Sequence, residues 1–201
     1  MTAAILLAGG RASRVGGAAK PLFDIDGSTL LERAIRAVEG CSPVIVVGDT
    51  IDGLDGVLWT REDPPFGGPA AAVVCALDAW HEEPGPIDDP PWTYLLACDL
   101  PDAVNAVQRL ESHRAHARLS TDGLVLSDGD DHPQWLIGVY RTSALRRAGA
   151  RIRDAGRDSS MRALLADLSI TMISAPGSET ADVDTWDDLA QARRRHERQQ
   201  S

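Results

Sequence analysis

Short, unbroken apolar runs recur along this chain, with longer, helically spaced segments between them. Ala3 to Leu7 ends at Gly9-Gly10, Pro43 to Val47 at Gly48-Asp49, and Thr93 to Ala97 at Asp99 and Pro101. Runs this short, bounded by turn formers, read as strands buried on both faces of a parallel sheet. Between them, Leu30, Leu31, Ala34, Ile35 and Val38 mark one face of a helix. Thr29 with Glu32 makes a T-x-x-E capping box at its start and Gly40 stops it. Pro69 to Trp80 and Ala103 to Ala117 repeat the helical pattern. In the second half, Leu124 to Leu126 and Trp135 to Tyr140 are strand-like and flank a loop or hairpin at Ser127 to Asp131. Helices follow at 142–150 and 160–168, then a strand at 170–174. The last helix, Thr185 to Arg195, places Arg193, Arg194 and Arg195 where cations complement the dipole. Strand–helix alternation predicts an α/β fold: a Rossmann-like, three-layer α/β/α sandwich, 1–201 as a single domain. Its sheet is mostly parallel, with an antiparallel strand near Trp135–Tyr140. The stretch from His81 to Trp92, with four prolines and four acids, reads as an exposed loop within that domain.

Charge narrows the partners. Thirty acidic against 20 basic residues give a net charge of −10. That argues against a nucleic-acid binder, which needs a basic face to release counterions, and against an anionic membrane surface. No apolar run approaches the roughly 18 residues of a membrane span. The N-terminal run lacks the basic region of a secretory signal. Cys41, Cys75 and Cys98 lie far apart, without zinc-ligand spacing, and read as small buried hydrophobes in a reducing compartment. The expectation is a cytoplasmic, monomeric protein.

Against that acidic background the first loop stands out. Leu7-Ala8-Gly9-Gly10-Arg11-Ala12-Ser13-Arg14-Val15-Gly16-Gly17-Ala18-Ala19-Lys20 follows the first strand, and the first 20 residues carry +3 with no acid. Glycines let backbone N–H groups approach a polyanion, and Arg14 and Lys20 add charge for phosphates. The carboxyl end of a strand is where open α/β sheets bind ligands. Two standard phosphate loops fail here. A Walker A needs Gly-Lys-Ser/Thr at a helix start, whereas Pro21 follows Lys20. A dinucleotide fingerprint should lead into a helix, whereas Pro21-Leu22-Phe23 reads extended.

The pattern L-A-G-G-x-x-x-R-x-G-x-x-x-K instead resembles the signature loop of nucleotidyltransferases, and among these the molybdenum cofactor guanylyltransferases. The similarity continues through Lys20-Pro21-Leu22, through Arg61-Glu62-Asp63 with Gly67-Gly68-Pro69-Ala70, and through Leu96-Ala97-Cys98-Asp99-Leu100-Pro101. It extends to His132-Pro133 with the strand to Arg141, and to Ala181-Asp182-Val183-Asp184-Thr185 with Asp187-Asp188-Leu189-Ala190, which resembles the family's N-x-N-T-P-E-E-L-A ending. The resemblance implies transfer of GMP from GTP onto a phosphorylated small-molecule acceptor of the molybdopterin type, with release of pyrophosphate. Residues 1–101 would form the NTP-binding half and 102–201 the acceptor-binding half. Three differences bear on base and acceptor choice: Ala19 stands where the family has Asp, Gly48 where it has Asn, and Asp184 where it has its final Asn. An Asp at that last position is commoner in relatives that use CTP. A CTP-dependent molybdenum cofactor or sugar-phosphate nucleotidyltransferase is therefore the alternative, and a non-catalytic nucleotide sensor of the same fold a third reading.

Nucleotidyl transfer brings several anions together, so Mg²⁺ held by one or two carboxylates and phosphate oxygens is expected. Asp99, at a strand's carboxyl end, is the first candidate ligand, and the resemblance names the same position. Asp184 is either a second carboxylate for the metal or the cap of the last helix. Asp182 is taken to face the other side of its extended segment and is set aside. Arg14, Lys20 and Asp99 are the catalytic candidates. The resemblance assigns nucleotide binding to Leu7, Ala8, Gly9, Gly10, Arg14, Lys20, Asp63 and Asp99, with the Asp63 carboxylate suited to guanine's N1–H and N2–H₂ donors. His132 is a contact for the acceptor phosphate or a surface-loop residue.

Overall fold

A computed structural model describes residues 1–10, 19–82 and 89–199. Seven strands form one sheet, in the order β5-β4-β1-β6-β8-β7-β9. They are β1 (Thr2–Leu7), β4 (Val44–Val47), β5 (Leu58–Thr60), β6 (Trp92–Ala97), β7 (Gly123–Ser127), β8 (Pro133–Arg141) and β9 (Ile170–Ser174). Only β8 runs against its neighbours: it is antiparallel to both β6 and β7, while the β1–β4, β1–β6, β4–β5 and β7–β9 pairs are parallel. The expected antiparallel strand at Trp135–Tyr140 is thus β8, and the loop before it is a hairpin turn.

Alternation along the central strands divides the core. Ala4, Leu6, Val46, Tyr94 and Leu96 face α1 (Leu30–Ala37) and α3 (Ala103–Arg114). Ala3, Ile5, Leu7, Ile45, Val47 and Leu95 face α2 (Pro69–Glu82), α4 (Thr142–Arg151) and α5 (Met161–Leu164). Strands buried on both faces are the physical reason their sequences read as unbroken apolar runs. The Thr29–Glu32 capping box forms as expected. The Thr29 hydroxyl accepts from the Glu32 N–H at 3.2 Å, and the Glu32 carboxylate accepts from the Thr29 N–H at 2.7 Å.

Several elements depart from expectation. Lys20–Leu22 is a 3-10 turn rather than extended, with Pro21 inside it. It leads into a small antiparallel hairpin of β2 (Asp24–Ile25) and β3 (Ser28–Thr29), closed by Asp26 and Gly27 at positive φ. The helix expected over 160–168 contracts to α5. A four-residue helix, α6 (Gly177–Thr180), precedes α7 (Trp186–Gln199), which extends past the Arg193–Arg195 run. Arg193 donates to the Asp24 carbonyl at 2.7 and 3.0 Å, so it ties α7 to β2. Phe23, Ile25 and Leu30 form a third apolar cluster with Val183, Leu189 and Ala192. Of the loop expected over His81 to Trp92, residues 83–88 lie outside the described residues; α2 takes in His81 and Glu82, and β6 begins at a buried Trp92.

Candidate active site

β1 lies between β4 and β6, with Leu7 level with both Val47 and Ala97. Three loops therefore leave the same edge of the sheet, at the point where the strand order changes direction, which is where open α/β sheets bind ligands. The first loop is held down at its start: the Ala8 N–H donates to the Val47 carbonyl at 2.9 Å, and the Cys98 N–H to the Leu7 carbonyl at 3.0 Å. The Leu7 side chain is in the α2-side core, so it can offer a ligand only backbone, whereas Gly9 and Gly10 are exposed. A Cβ at Gly48 would sit 3.2 Å from the Ala8 Cβ and 3.3 Å from its carbonyl carbon. Glycine at this position lets the first loop lie close over β4, where a larger residue would press on Ala8. Arg11 and Arg14 lie outside the described residues.

Asp99 stands two residues past the end of β6. Its carbonyl accepts from the Val183 N–H at 2.9 Å, which fastens the segment before α7 onto the end of β6. Val183 is fully buried, and its neighbours on either side, Asp182 and Asp184, turn the other way. Carboxylate oxygens of Asp99, Asp182 and Asp184 come within 4.8 Å of one another. Asp182 therefore belongs to the group, contrary to expectation. A period of two returns residue i+2 to the face of residue i, so Asp182 and Asp184 share a side and the buried Val183 takes the other. The signal was legible as D-V-D, a carboxylate pair around an apolar anchor.

Asp184 also pairs with the Lys20 ammonium, at side-chain exposures of 31% and 18%. Capping of α7 falls to its neighbours. Thr185 accepts from the Asp188 N–H at 3.2 Å, and the Asp188 carboxylate accepts from the Thr185 N–H at 2.8 Å. Burial, then the Asp182 carboxylate, and more weakly Asp184 push the Asp99 carboxyl up to about 6, while Lys20 opposes them. Burial and Asp184 likewise raise Asp182. Three converging carboxylates with one ammonium leave an excess of negative charge on hard oxygen donors, and this suits a divalent cation of the magnesium type.

Asp63 lies elsewhere. It is exposed and lines a cavity of about 380 Å³ with Thr60, Glu62, Val74, Asp78 and Arg157, along the flank of α2. His132 is 74% exposed, and its Nδ1 is 3.7 Å from Asp128 in the β7–β8 turn. Because β8 is antiparallel to β6, that turn stands at the same edge of the sheet as Asp99.

Comparison with known proteins bears on the fold and the family. The family model described as MobA-like NTP transferase domain matches residues 4–171. A molybdenum cofactor guanylyltransferase from Nitrobacter hamburgensis is 31% identical over 96% of this chain and 93% of its own length. One from Vibrio campbellii is 28% identical over 74% of this chain and 73% of its own. Among solved structures, molybdopterin-guanine dinucleotide biosynthesis protein A from Archaeoglobus fulgidus superposes with a TM-score of 0.65, covering 98% of this chain and 100% of that one at 19% identity. A 2-C-methyl-D-erythritol 4-phosphate cytidylyltransferase from Thermus thermophilus does so with a TM-score of 0.67 over 96% and 98%, at 16% identity. These likenesses show the fold. Joined to the match along most of the sequence, they establish that the chain belongs to the MobA-like NTP transferase family and is a nucleotidyltransferase.

Proposed function

We propose that the protein is a Mg²⁺-dependent guanylyltransferase that moves GMP from GTP onto the phosphate of a molybdopterin-type molybdenum cofactor and releases pyrophosphate. The observation that carries this reading is the convergence of Asp99, Asp182 and Asp184 beside Lys20, at the sheet edge from which the glycine-rich loop departs. In the reaction an acceptor phosphate oxygen attacks the α-phosphorus in line, and the bond to the bridging oxygen of pyrophosphate breaks. The protein's task is positioning and charge neutralisation.

Asp99, Asp182 and Asp184 are the residues that would hold the metal, which when bound offsets charge on the phosphate oxygens. Lys20, with Arg14 from the loop, holds the β- and γ-phosphates and stabilises the departing pyrophosphate. Backbone groups of Leu7, Ala8, Gly9 and Gly10 receive the nucleotide, and Asp63 accepts from guanine's N1–H and N2–H₂. Residues 1–101 supply the NTP side and 102–201 the acceptor side, with His132 at its rim. We read the enzyme as monomeric and cytoplasmic. No helix among the described residues is long and apolar enough to cross a membrane.

The test offers each of the four α-³²P-labelled NTPs with the molybdenum cofactor and follows label transfer and pyrophosphate release. The expected result is transfer from GTP alone. Strong preference for CTP would instead support cytidylyl transfer, which the Asp at position 184 favours. No pyrophosphate release with any NTP and any phosphorylated acceptor would point to a nucleotide sensor.

A further inference from the structure

Of the five tryptophans, Trp80 and Trp92 are each 7% exposed and Trp59 and Trp135 are partly covered, but Trp186 is 54% exposed. Its position is specific. Trp186 opens α7 two residues after Asp184, where the family pattern has proline, and side chains in a helix tilt towards its N-terminus, here towards residues 182–185. One side of its ring rests on Phe23, with centroids 4.8 Å apart and planes 27° from parallel. Phe23 is itself 8% exposed. Its N–H donates to the Lys20 carbonyl at 2.9 Å, and its carbonyl accepts from the Leu30 N–H at 3.0 Å. The backbone that carries the backing ring is thus hydrogen-bonded to the backbone of Lys20, and Trp186 is joined through Thr185 to Asp184. A large flat ring, braced from behind, left mostly open and two residues from Asp184, is built to stack on another flat ring.

We propose that Trp186 is the platform on which the fused heterocycle of the acceptor stacks, so that the acceptor's phosphate is delivered to the Asp99–Asp182–Asp184 cluster. This rests on the guanylyl-transfer reading. Two flat rings enter that reaction, the acceptor's and the nucleobase, and the fold separates them. Phe23, on which Trp186 stacks, belongs to the cluster that includes Val183 and Leu30 at the start of α1. Asp63, proposed above for the guanine, lies along α2 on the opposite face of the sheet.

The test compares pyrophosphate release by wild type, Trp186→Ala, Trp186→Leu and Trp186→Phe with GTP and the molybdenum cofactor as substrates. Loss of the stacking face should raise the acceptor KM about 10- to 100-fold in both the Ala and Leu variants. The GTP KM should stay within about twofold, and Phe should recover the acceptor KM to within about threefold. The Leu variant keeps an apolar cover over Phe23, so it separates stacking from packing. Added acceptor without GTP should quench the tryptophan emission of wild type, and that quench should be absent from Trp186→Phe. An unchanged acceptor KM, or a rise confined to the GTP KM, overturns the proposal while guanylyl transfer stands. A wild-type enzyme that does not turn over this acceptor overturns both.

Discussion

Lys20 stands alone as a lysine among 20 basic residues, and it pairs with Asp184 at the mouth of a three-carboxylate cluster. A compact ammonium fits that partly buried position and can follow charge onto a leaving group, whereas a guanidinium brings a planar fork with five donors. Lys20→Arg is therefore expected to lower kcat by about tenfold or more, 1.4 kcal/mol in the barrier. Near-wild-type turnover would return the lone lysine to accident of composition. Asp99→Asn and Asp182→Asn are each expected to reduce kcat/KM on the order of a hundredfold, because each removes a charge that would hold the divalent ion. A wild-type rate in Asp182→Asn, measured at saturating Mg²⁺, would remove that residue from the ligand set. Lys20, Asp99 and Asp184 were legible from residue type, spacing and resemblance together. Asp182 was missed by misapplying strand alternation, although Val183 between the two acids marks which side is buried. Asp63 shows a different limit: an exposed loop's path around α2 is set by packing at a distance, so its motif does not say that the residue proposed for the guanine lines a cavity apart from the three-acid cluster.

At the scale of elements, the parts with a repeating physical cause were readable. β1, β4 and β6 are buried on both faces and appear as unbroken apolar runs, and α1 carries both halves of its capping box. β5 and the β2–β3 hairpin were not readable, because three and two residues hold too little pattern to separate from loop. They exist because a longer neighbour pairs with them or α7 covers them. Thr29→Ala should destabilise the chain by about 1 kcal/mol, lowering Tm by about 2–4 °C for a domain of this size. Hydrogen bonds from Thr29 lower the Glu32 pKa. A depressed carboxylate contributes stability that is present above its ordinary pKa of 4.5 and lost as pH falls through the lowered folded value. The Thr29→Ala penalty should therefore shrink in acid, and a constant penalty by thermal melts between pH 7 and pH 3 would contradict this account. β8 has its own constraint. A Cβ at Gly138 would lie 2.8 Å from the Tyr140 ring and 3.0 Å from the Leu124 carbonyl, and Tyr140 is fully buried with its hydroxyl donating to the Trp135 carbonyl at 2.7 Å. Gly138→Ala should cost about 1–3 kcal/mol through overpacking, read as a lower urea midpoint with unchanged slope.

For the molecule as a whole, the carboxylate cluster sets function against stability. A chain of net charge −10 folds with three of its carboxylates pressed together at its sheet edge, one of them held up to about 6. In the metal-free protein the sign follows from the direction of that shift. Asp99 is raised above its ordinary 3.8, so the folded state holds its proton more tightly than the unfolded chain. The penalty is absent below about 4, grows as pH rises towards 6, and is fully present above it. Asp99→Asn removes the charge without the volume, so the metal-free variant should melt higher than wild type at pH 7.5 and about equally at pH 4. A divalent ion that binds only the folded state should do the reverse. At a hundredfold excess over Kd it stabilises by about 2.7 kcal/mol, a rise of about 5–10 °C in Tm. Protons compete for the same oxygens, so the wild-type rise should weaken below pH 6, and Asp99→Asn should lose most of it at every pH. Melts of the two proteins at pH 7.5 and pH 5, with EDTA and with millimolar Mg²⁺ or Mn²⁺, check every arm. A variant less stable than wild type in EDTA, yet equally stabilised by metal, would mean that the acids are held by the fold for a reason other than a cation.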